Sequence, residues 1–177
     1  MSDAPAGAGY VQIYTGDGKG KTTAALGLAL RAWGHDRRVI VVQFMKADPT
    51  WGEIVGLRRI GIDVLQVGLN HWVREGHVSD QDRAAAAAGF SKAREIVQSG
   101  LFDLVVLDEI WTALYFELVD LDAVMALMRE KPRAVELVMT GRRAPQAAMA
   151  AADLVTEMRL VKHYYDAGVP ARPGIEF

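Results

Sequence analysis

The sequence contains no cysteine among its 177 residues. Disulfide bonds, zinc–thiolate sites and thiol nucleophiles are therefore excluded together. No long basic run occurs and the formal net charge is -2, which argues against nucleic acid as the main partner. The first nine residues lack the basic and apolar regions of a signal peptide, and no apolar run is long enough to span a membrane. We therefore expect a cytoplasmic protein.

The remaining composition is that of an ordinary globular protein. Apolar residues make up 51 % of the chain and charged residues 24 %. The length suits one domain that is large enough to bury a full core. Because no internal repeat or low-complexity linker divides the chain, we predict a flexible segment over residues 1–9 and a single domain over residues 10–177.

A glycine-rich stretch at residues 15–23 (TGDGKGKTT) lies between an apolar run and a helix-patterned segment. A strand, a turn and a helix in this order form the phosphate-binding P-loop, in which backbone N–H groups and the helix dipole converge on an anion. The generic pattern has glycine where this chain has Thr15, and the following glycines largely compensate. The alternative is a glycine-rich turn that binds no ligand. The candidate phosphate-binding residues are Gly16, Asp17, Gly18, Lys19, Gly20, Lys21, Thr22 and Thr23.

Two acids, Asp108 and Glu109, directly follow an apolar run at 104–107. This pattern is typical of a Walker B strand, which places a carboxylate near the P-loop threonine, here Thr22, to hold magnesium. The competing interpretation is a helix N-cap at Asp108 with Glu109 in the first turn. The upstream P-loop favours a magnesium site with Thr22 and Glu109 as ligands and Asp108 as a possible third.

Apolar runs typical of buried strands alternate with helix-patterned segments along the chain. We predict strands at 10–14, 38–44, 62–67, 103–107, 135–139 and 153–158. Helices are predicted from the P-loop to position 34 and at 52–60, 79–99, 120–130 and 144–151. Ser79 and Asp82 have the spacing of a capping box at the start of the third helix. The alternation predicts an α/β fold with a mainly parallel sheet and helices on both faces, whose ligands bind beyond the carboxyl ends of the strands.

The segment 68–78 follows neither the helical nor the strand period, and we predict a loop. Trp72 within it either stacks on a flat ligand or anchors the loop. His71 and His77 share this loop, but two histidines without a third ligand make a poor metal site. His163, in an aperiodic tail at 162–177, is more typical of a surface or packing residue than of an acid–base catalyst.

Several segments together resemble the P-loop type of ATP:corrinoid adenosyltransferase. They are 15–25 (TGDGKGKTTAA), 41–46 (VVQFMK), 106–110 (VLDEI), 140–142 (TGR), 162–169 (KHYYDAGV) and the final GIEF. The likeness extends from about residue 10 to residue 177 in the family's order. It implies a P-loop NTPase-like (RecA-like) fold. The implied reaction transfers the 5′-deoxyadenosyl group of ATP to the Co(I) centre of a reduced corrinoid and releases triphosphate, in adenosylcobalamin biosynthesis or salvage.

The resemblance also implies roles for individual residues. Lys21 and Glu109 are the implied catalytic residues, and Lys19, Lys21 and the loop amides neutralise the triphosphate. The family holds ATP in a reversed sense, so that C5′ faces the nucleophile. Trp72 lies on the implied corrinoid side, where an aromatic residue excludes the lower axial ligand of cobalt. Asn70 is the second corrinoid-side candidate, and it stands where the family often has phenylalanine.

The implied partners are ATP with magnesium, a corrinoid (cobalamin, cobinamide or cobyrinic acid diamide), a reductase that supplies Co(I), and a second copy of the chain in a homodimer.

Two other functions share the phosphate-binding pattern. An ordinary P-loop ATPase or kinase would release phosphate or ADP, and a non-catalytic module would bind nucleotide or corrinoid without turnover.

Overall fold

A computed structural model of the chain describes residues 7–69, 71, 73 and 77–176. Six strands form its sheet: β1 (Val11–Thr15), β2 (Val39–Phe44), β3 (Asp63–Val67), β4 (Leu104–Asp108), β5 (Glu136–Thr140) and β6 (Leu154–Glu157). The helices are α1 (Lys21–Trp33), α2 (Gly52–Arg59), α3 (Asp80–Gln98), α4 (Ile110–Tyr115), α5 (Leu121–Glu130) and α6 (Gln146–Ala151), and a 3₁₀ helix spans Tyr164–Ala167.

The strand order in the sheet is β3-β2-β4-β5-β1-β6, and every pair of neighbouring strands is parallel. Parallel pairing requires a crossover after each strand, which the intervening helices supply. The central strands β2 and β4 are buried along their whole length, because helices cover both faces of the sheet. The predicted α/β fold with a parallel sheet is confirmed.

The core lies in two apolar layers, one on each face of the sheet. Helices α1 and α2 contribute Ala25, Ala29 and Leu57 to one layer. The other layer is larger and contains buried residues of α3, α4, α5 and α6. No helix among the described residues combines the length and apolarity needed to cross a membrane.

The start of α3 has the predicted capping box. The Asp82 backbone N–H donates to the Ser79 hydroxyl at 3.1 Å, and the Ser79 N–H donates to the Asp82 carboxylate at 2.9 Å. The two side chains thus accept from backbone donors that the start of a helix leaves without intrahelical partners.

Helix α4 is absent from the predicted helices, although the competing interpretation of Asp108 and Glu109 placed a helix start one residue earlier. It is only six residues long, and it carries three buried residues, Ile110, Trp111 and Ala113, with no polar face to give a helical period. The Trp111 side chain is completely buried and donates a hydrogen bond from Nε1 to the Met139 carbonyl at 3.2 Å. Tertiary packing against β5 therefore stabilises this helix.

Candidate functional site

The P-loop connects the end of β1 to the start of α1 and packs against the residues that follow β6. Gly16 and Gly20 have φ angles of 96° and 117°, in the region that favours glycine. The Gly18 N–H donates to the Met158 carbonyl at 2.7 Å. A Cβ atom on Gly16 or Gly18 would lie 2.5 or 2.7 Å from that same carbonyl oxygen. Glycine is thus required here by the close approach of residue 158 as well as by the loop's own conformation.

Lys21 is the first residue of α1, and its side chain lies across the P-loop. The residue is 7 % exposed, and Nζ donates to the Gly16 carbonyl at 2.7 Å and to the Gly18 carbonyl at 2.8 Å. Burial lowers the pKa of Lys21, and the negative charge of Glu109 opposes that shift. The ammonium is therefore held at the loop, beside the helix N-terminus where an anion is favoured.

Asp108, the last residue of β4, is fully buried and accepts hydrogen bonds from four side chains. Its Oδ1 atom accepts from the Thr22 hydroxyl at 2.8 Å and from the Thr140 hydroxyl at 2.7 Å. Its Oδ2 atom accepts from Gln43 Nε2 at 3.2 Å and from Lys46 Nζ at 3.0 Å. The carboxylate therefore joins α1, β2 and β5 at the carboxyl edge of the sheet.

The capping interpretation of Asp108 is wrong, because Glu109 occupies the N-cap position of α4. Glu109 has a left-handed backbone conformation, with φ 61°, and makes no side-chain capping bond. Its N–H donates to the Thr140 hydroxyl at 3.0 Å, and its carboxylate accepts a hydrogen bond from Thr112. Because of this backbone geometry, the Asp108 side chain points into the edge of the sheet, whereas the Glu109 side chain points towards the cleft above it.

That open cleft has a volume of about 780 Å³ and lies above the carboxyl ends of the strands. Its walls come from the P-loop, from the ends of β2 and β4, from the turn after β5 and from the C-terminal tail. The lining residues are 17–23, Leu26, Lys46, Trp51, Gly52, Glu53, Glu109, Arg142, His163, Gly174, Ile175 and Glu176. The position agrees with the ligand site expected for a parallel sheet.

The C-terminal tail covers the outer side of the P-loop, an arrangement that no pattern in the sequence predicts. Lys19 Nζ donates to the Ile175 carbonyl at 3.0 Å and lies 3.9 Å from the Glu176 carboxylate. Hydrogen bonds from Tyr164 and Arg172 lower the pKa of Glu176 to about 2. The Lys19 ammonium thus contacts the tail, and both line the cleft.

The corrinoid-side candidates Asn70 and Trp72 lie outside the described residues. Their neighbour His71 contacts the start of α3, with Nε2 2.9 Å from the Asp82 carboxylate. Asp82 is buried, and hydrogen bonds from Ser79 hold its pKa below the usual range. His71 is therefore paired with a protein carboxylate.

Three cleft side chains were given no individual role from the sequence. Lys46, Arg142 and Glu176 occur only within the segments VVQFMK, TGR and GIEF that carry the family resemblance. All three line the cleft. A basic residue shortly after an apolar strand, as at Lys46 and Arg142, is the signal that could have indicated them, because strand ends in a parallel sheet meet at one edge.

The chain is similar to known proteins over nearly its whole length. The family model for ATP:corrinoid adenosyltransferase BtuR/CobO/CobP matches residues 7–177. The chain is 37 % identical over 171 residues to the corrinoid adenosyltransferase CobA of Salmonella typhimurium, covering 96 % of this chain and 86 % of that protein. It is 39 % identical over 174 residues to a corrinoid adenosyltransferase of Pseudomonas aeruginosa, covering 96 % and 84 %. An Escherichia coli corrinoid adenosyltransferase is 36 % identical over 171 residues, covering 96 % and 86 %. This chain belongs to the ATP:corrinoid adenosyltransferase family.

Proposed function

We propose that this protein transfers the 5′-deoxyadenosyl group of ATP to the cobalt of a reduced corrinoid and releases triphosphate. The observation that carries this function is the cleft itself, in which a P-loop and a strand-end acid, Glu109, line one space in a chain of this family. The alternatives of an ATPase, a kinase or a non-catalytic module are not favoured by the family.

The reaction makes limited demands on the protein. The electron pair of Co(I) forms a bond to C5′ of ATP, the C5′–O bond breaks, and its electron pair leaves with the triphosphate. Cobalt is thereby oxidised from Co(I) to Co(III). Because Co(I) is already a strong nucleophile, no general base is needed. The enzyme must hold the reactants in line and neutralise the charge of the leaving group.

The triphosphate is proposed to bind at the P-loop. The loop amides of residues 16–23, the α1 N-terminus and the Lys21 ammonium supply the positive potential there. The Arg142 side chain, which lines the same cleft after β5, adds a second cation. The Lys19 ammonium donates one hydrogen bond to the tail in the same cleft, and its other donors are proposed to contact phosphate oxygens, together with its backbone N–H.

The residues present fit a magnesium ion held by Thr22 and Glu109 together with phosphate oxygens. The Thr22 hydroxyl donates its hydrogen bond to Asp108, so its oxygen lone pairs are available. Each Asp108 oxygen already accepts two hydrogen bonds, which supports a positioning role for Asp108. Within the described residues, no three His, Cys, Asp or Glu side chains form a metal site by themselves. When bound, magnesium would neutralise phosphate charge.

Glu109→Gln is therefore expected to weaken the magnesium dependence of adenosyl transfer strongly, because an amide is a poorer ligand than a carboxylate. Thermal stability should change little, since a carboxylate at a helix start contributes only about 0.3–1 kcal/mol. Activity titrated against magnesium measures the effect. Glu53→Gln is the matched control, because Glu53 lines the same cleft without a proposed metal role. If the dependence of activity on magnesium were unchanged in Glu109→Gln, the role of magnesium ligand would be assigned to Asp108 instead.

We further propose that Trp72 and Asn70 face the corrinoid and that a reductase supplies Co(I). Residues 10–177 are proposed to act as one domain, in a cytoplasmic homodimer.

Trp72→Ala is expected to leave the Kd for ATP nearly unchanged. It should slow adenosylation much more when the enzyme starts from Co(II) and a reductant than when Co(I) is supplied chemically. The reason is that only the first route requires the protein to remove the axial ligand before reduction. Trp33→Ala, at the far end of α1, is the control. Equal loss by both routes would contradict the role given to Trp72.

Anaerobic incubation with ATP, magnesium and chemically reduced cobalamin tests the proposed function. The absorbance spectrum should change from that of Co(I) to that of an alkylated Co(III) corrinoid, and only when ATP is present. Loss of the Co(I) spectrum at the same rate without ATP would contradict adenosyl transfer.

A further inference from the structure

Lys46 lies just after β2, where the phosphate-binding cleft meets the start of the 68–78 loop. The preceding residue, Met45, has a left-handed backbone with φ 58°, and its N–H donates to the Val67 carbonyl at 2.8 Å. A Cβ atom on Gly68 would lie 2.9 Å from the Lys46 backbone nitrogen. A left-handed conformation at a residue other than glycine is costly and persists only where the surroundings impose it. The sharp turn after β2 therefore brings the Lys46 backbone against the first residue of the loop.

The Lys46 side chain is only 13 % exposed, so its charged ammonium is largely buried. Burial opposes that charge, but the attraction of Asp108, followed by that of Glu109, outweighs burial and raises the pKa of Lys46. The ammonium lies 5.3 Å from the centre of the Trp51 ring. Among the described residues, Asp108 is its one hydrogen-bond acceptor, although an ammonium has three donors.

Asp108 does not need a cation to satisfy its hydrogen bonds. Three neutral side chains already donate to its carboxylate, from Thr22, Thr140 and Gln43. Desolvating an ammonium is expensive, and a buried ion pair gives no assured gain in stability. Because Lys46 also lines the cleft, its remaining donors are available to an anion bound there.

The strand order places Lys46 between the P-loop and the start of the 68–78 loop. The P-loop follows β1, Arg142 follows β5, and Lys46 follows β2, which neighbours β3. The 68–78 loop, on the proposed corrinoid side, continues directly from β3. In the reaction C5′ must face the corrinoid while the distal phosphates remain at the P-loop. The α-phosphate then lies between them, on the side of the cleft that carries Lys46.

We propose that Lys46 is a further catalytic residue, whose ammonium contacts the α-phosphate of ATP and neutralises the charge of the departing triphosphate. The inference rests on the proposed function. As the Co–C5′ bond forms and the C5′–O bond breaks, the electron pair passes to the oxygen that joined C5′ to the α-phosphate. A fixed cation beside that oxygen stabilises the transition state more than the ground state.

Lys46→Ala tests this role when chemically reduced cobalamin is supplied in excess. We expect kcat to fall by about 100-fold and the Kd for ATP to change by less than about threefold, because the lost contact strengthens only as charge develops. Lys92→Ala, an exposed lysine on α3, is the control. Ethylammonium should restore part of the rate of Lys46→Ala. It should not help Lys46→Met, in which the methionine side chain fills the space.

The wild-type enzyme, assayed in parallel, separates this inference from the proposed function. If the wild type forms no adenosylated corrinoid, the proposed function fails. If the wild type is active and folded Lys46→Ala keeps kcat within about threefold, the role of Lys46 is overturned. Equal losses in kcat and ATP affinity without amine rescue would also overturn it, since they indicate positioning through Asp108. If Lys46→Ala does not fold, Lys46→Gln decides by the same kcat criterion, because its amide can still donate to Asp108.

Discussion

Lys21→Ala is expected to abolish adenosyl transfer and to weaken ATP binding by about 100-fold or more, because hydrogen bonds from a charged donor contribute about 1.5–3 kcal/mol each. In the present structure the ammonium is held at two P-loop carbonyls, those of Gly16 and Gly18. When ATP binds, the same ammonium can reach the phosphates without leaving the loop. Its loss therefore removes both positive charge and a contact that orders the loop. Calorimetric titration with ATP, together with the rate of adenosylation, measures the effect.

Lys92→Ala is the control for this variant, since Lys92 is an exposed lysine paired with Glu95 on α3. It should keep wild-type ATP affinity and turnover. Circular dichroism should verify that Lys21→Ala is folded. Tight ATP binding by a folded Lys21→Ala protein would disprove the proposed role of this lysine.

Asp108→Ala is expected to cost about 3–5 kcal/mol of unfolding free energy, the range found when one partner of a buried ion pair is removed. The substitution leaves the Lys46 ammonium without its carboxylate in a buried site. It also deprives three further donors, on Thr22, Thr140 and Gln43, of their acceptor. Asp108→Asn should cost less, because the amide oxygen still accepts from the two hydroxyls. Urea denaturation of both variants measures the difference.

Glu130→Ala is the comparison for Asp108→Ala, because Glu130 pairs with Arg94 where both side chains are about half exposed. An exposed pair of this kind contributes about 0–1 kcal/mol. If Asp108→Ala were no less stable than Glu130→Ala, the buried network around Asp108 would not be a stabilising feature of the sheet edge.

The fold could be predicted well because its signals are local. The central strands β2 and β4 are nearly continuous apolar runs because both of their faces are covered. Capping at Ser79 and Asp82 marks the start of α3 in the sequence itself. Helix α4 could not be predicted in this way. Trp111 and its neighbours are buried from several sides, so the segment carries no period.

The candidate site, too, could be predicted only where local motifs and the geometry of parallel strands determine it. The proximity of Thr22 and Asp108 follows from two motifs and the geometry of parallel strands, and a 2.8 Å hydrogen bond joins them. The direction of the Lys19 side chain does not follow from its motif. That side chain contacts Ile175, which is 156 positions away in the chain, and no local pattern encodes such a contact. The position of the tail as a wall of the cleft could not be predicted for the same reason.

The most direct test of the central proposal is phosphorus NMR of the complete reaction with ATP, magnesium and chemically reduced cobalamin. Adenosyl transfer at C5′ predicts intact triphosphate, formed one for one with the cobalt–carbon bond, and no ADP while corrinoid is present. Release of ADP and inorganic phosphate instead would contradict the proposed reaction, because it would locate bond breaking between phosphates and identify an ordinary P-loop hydrolase or kinase.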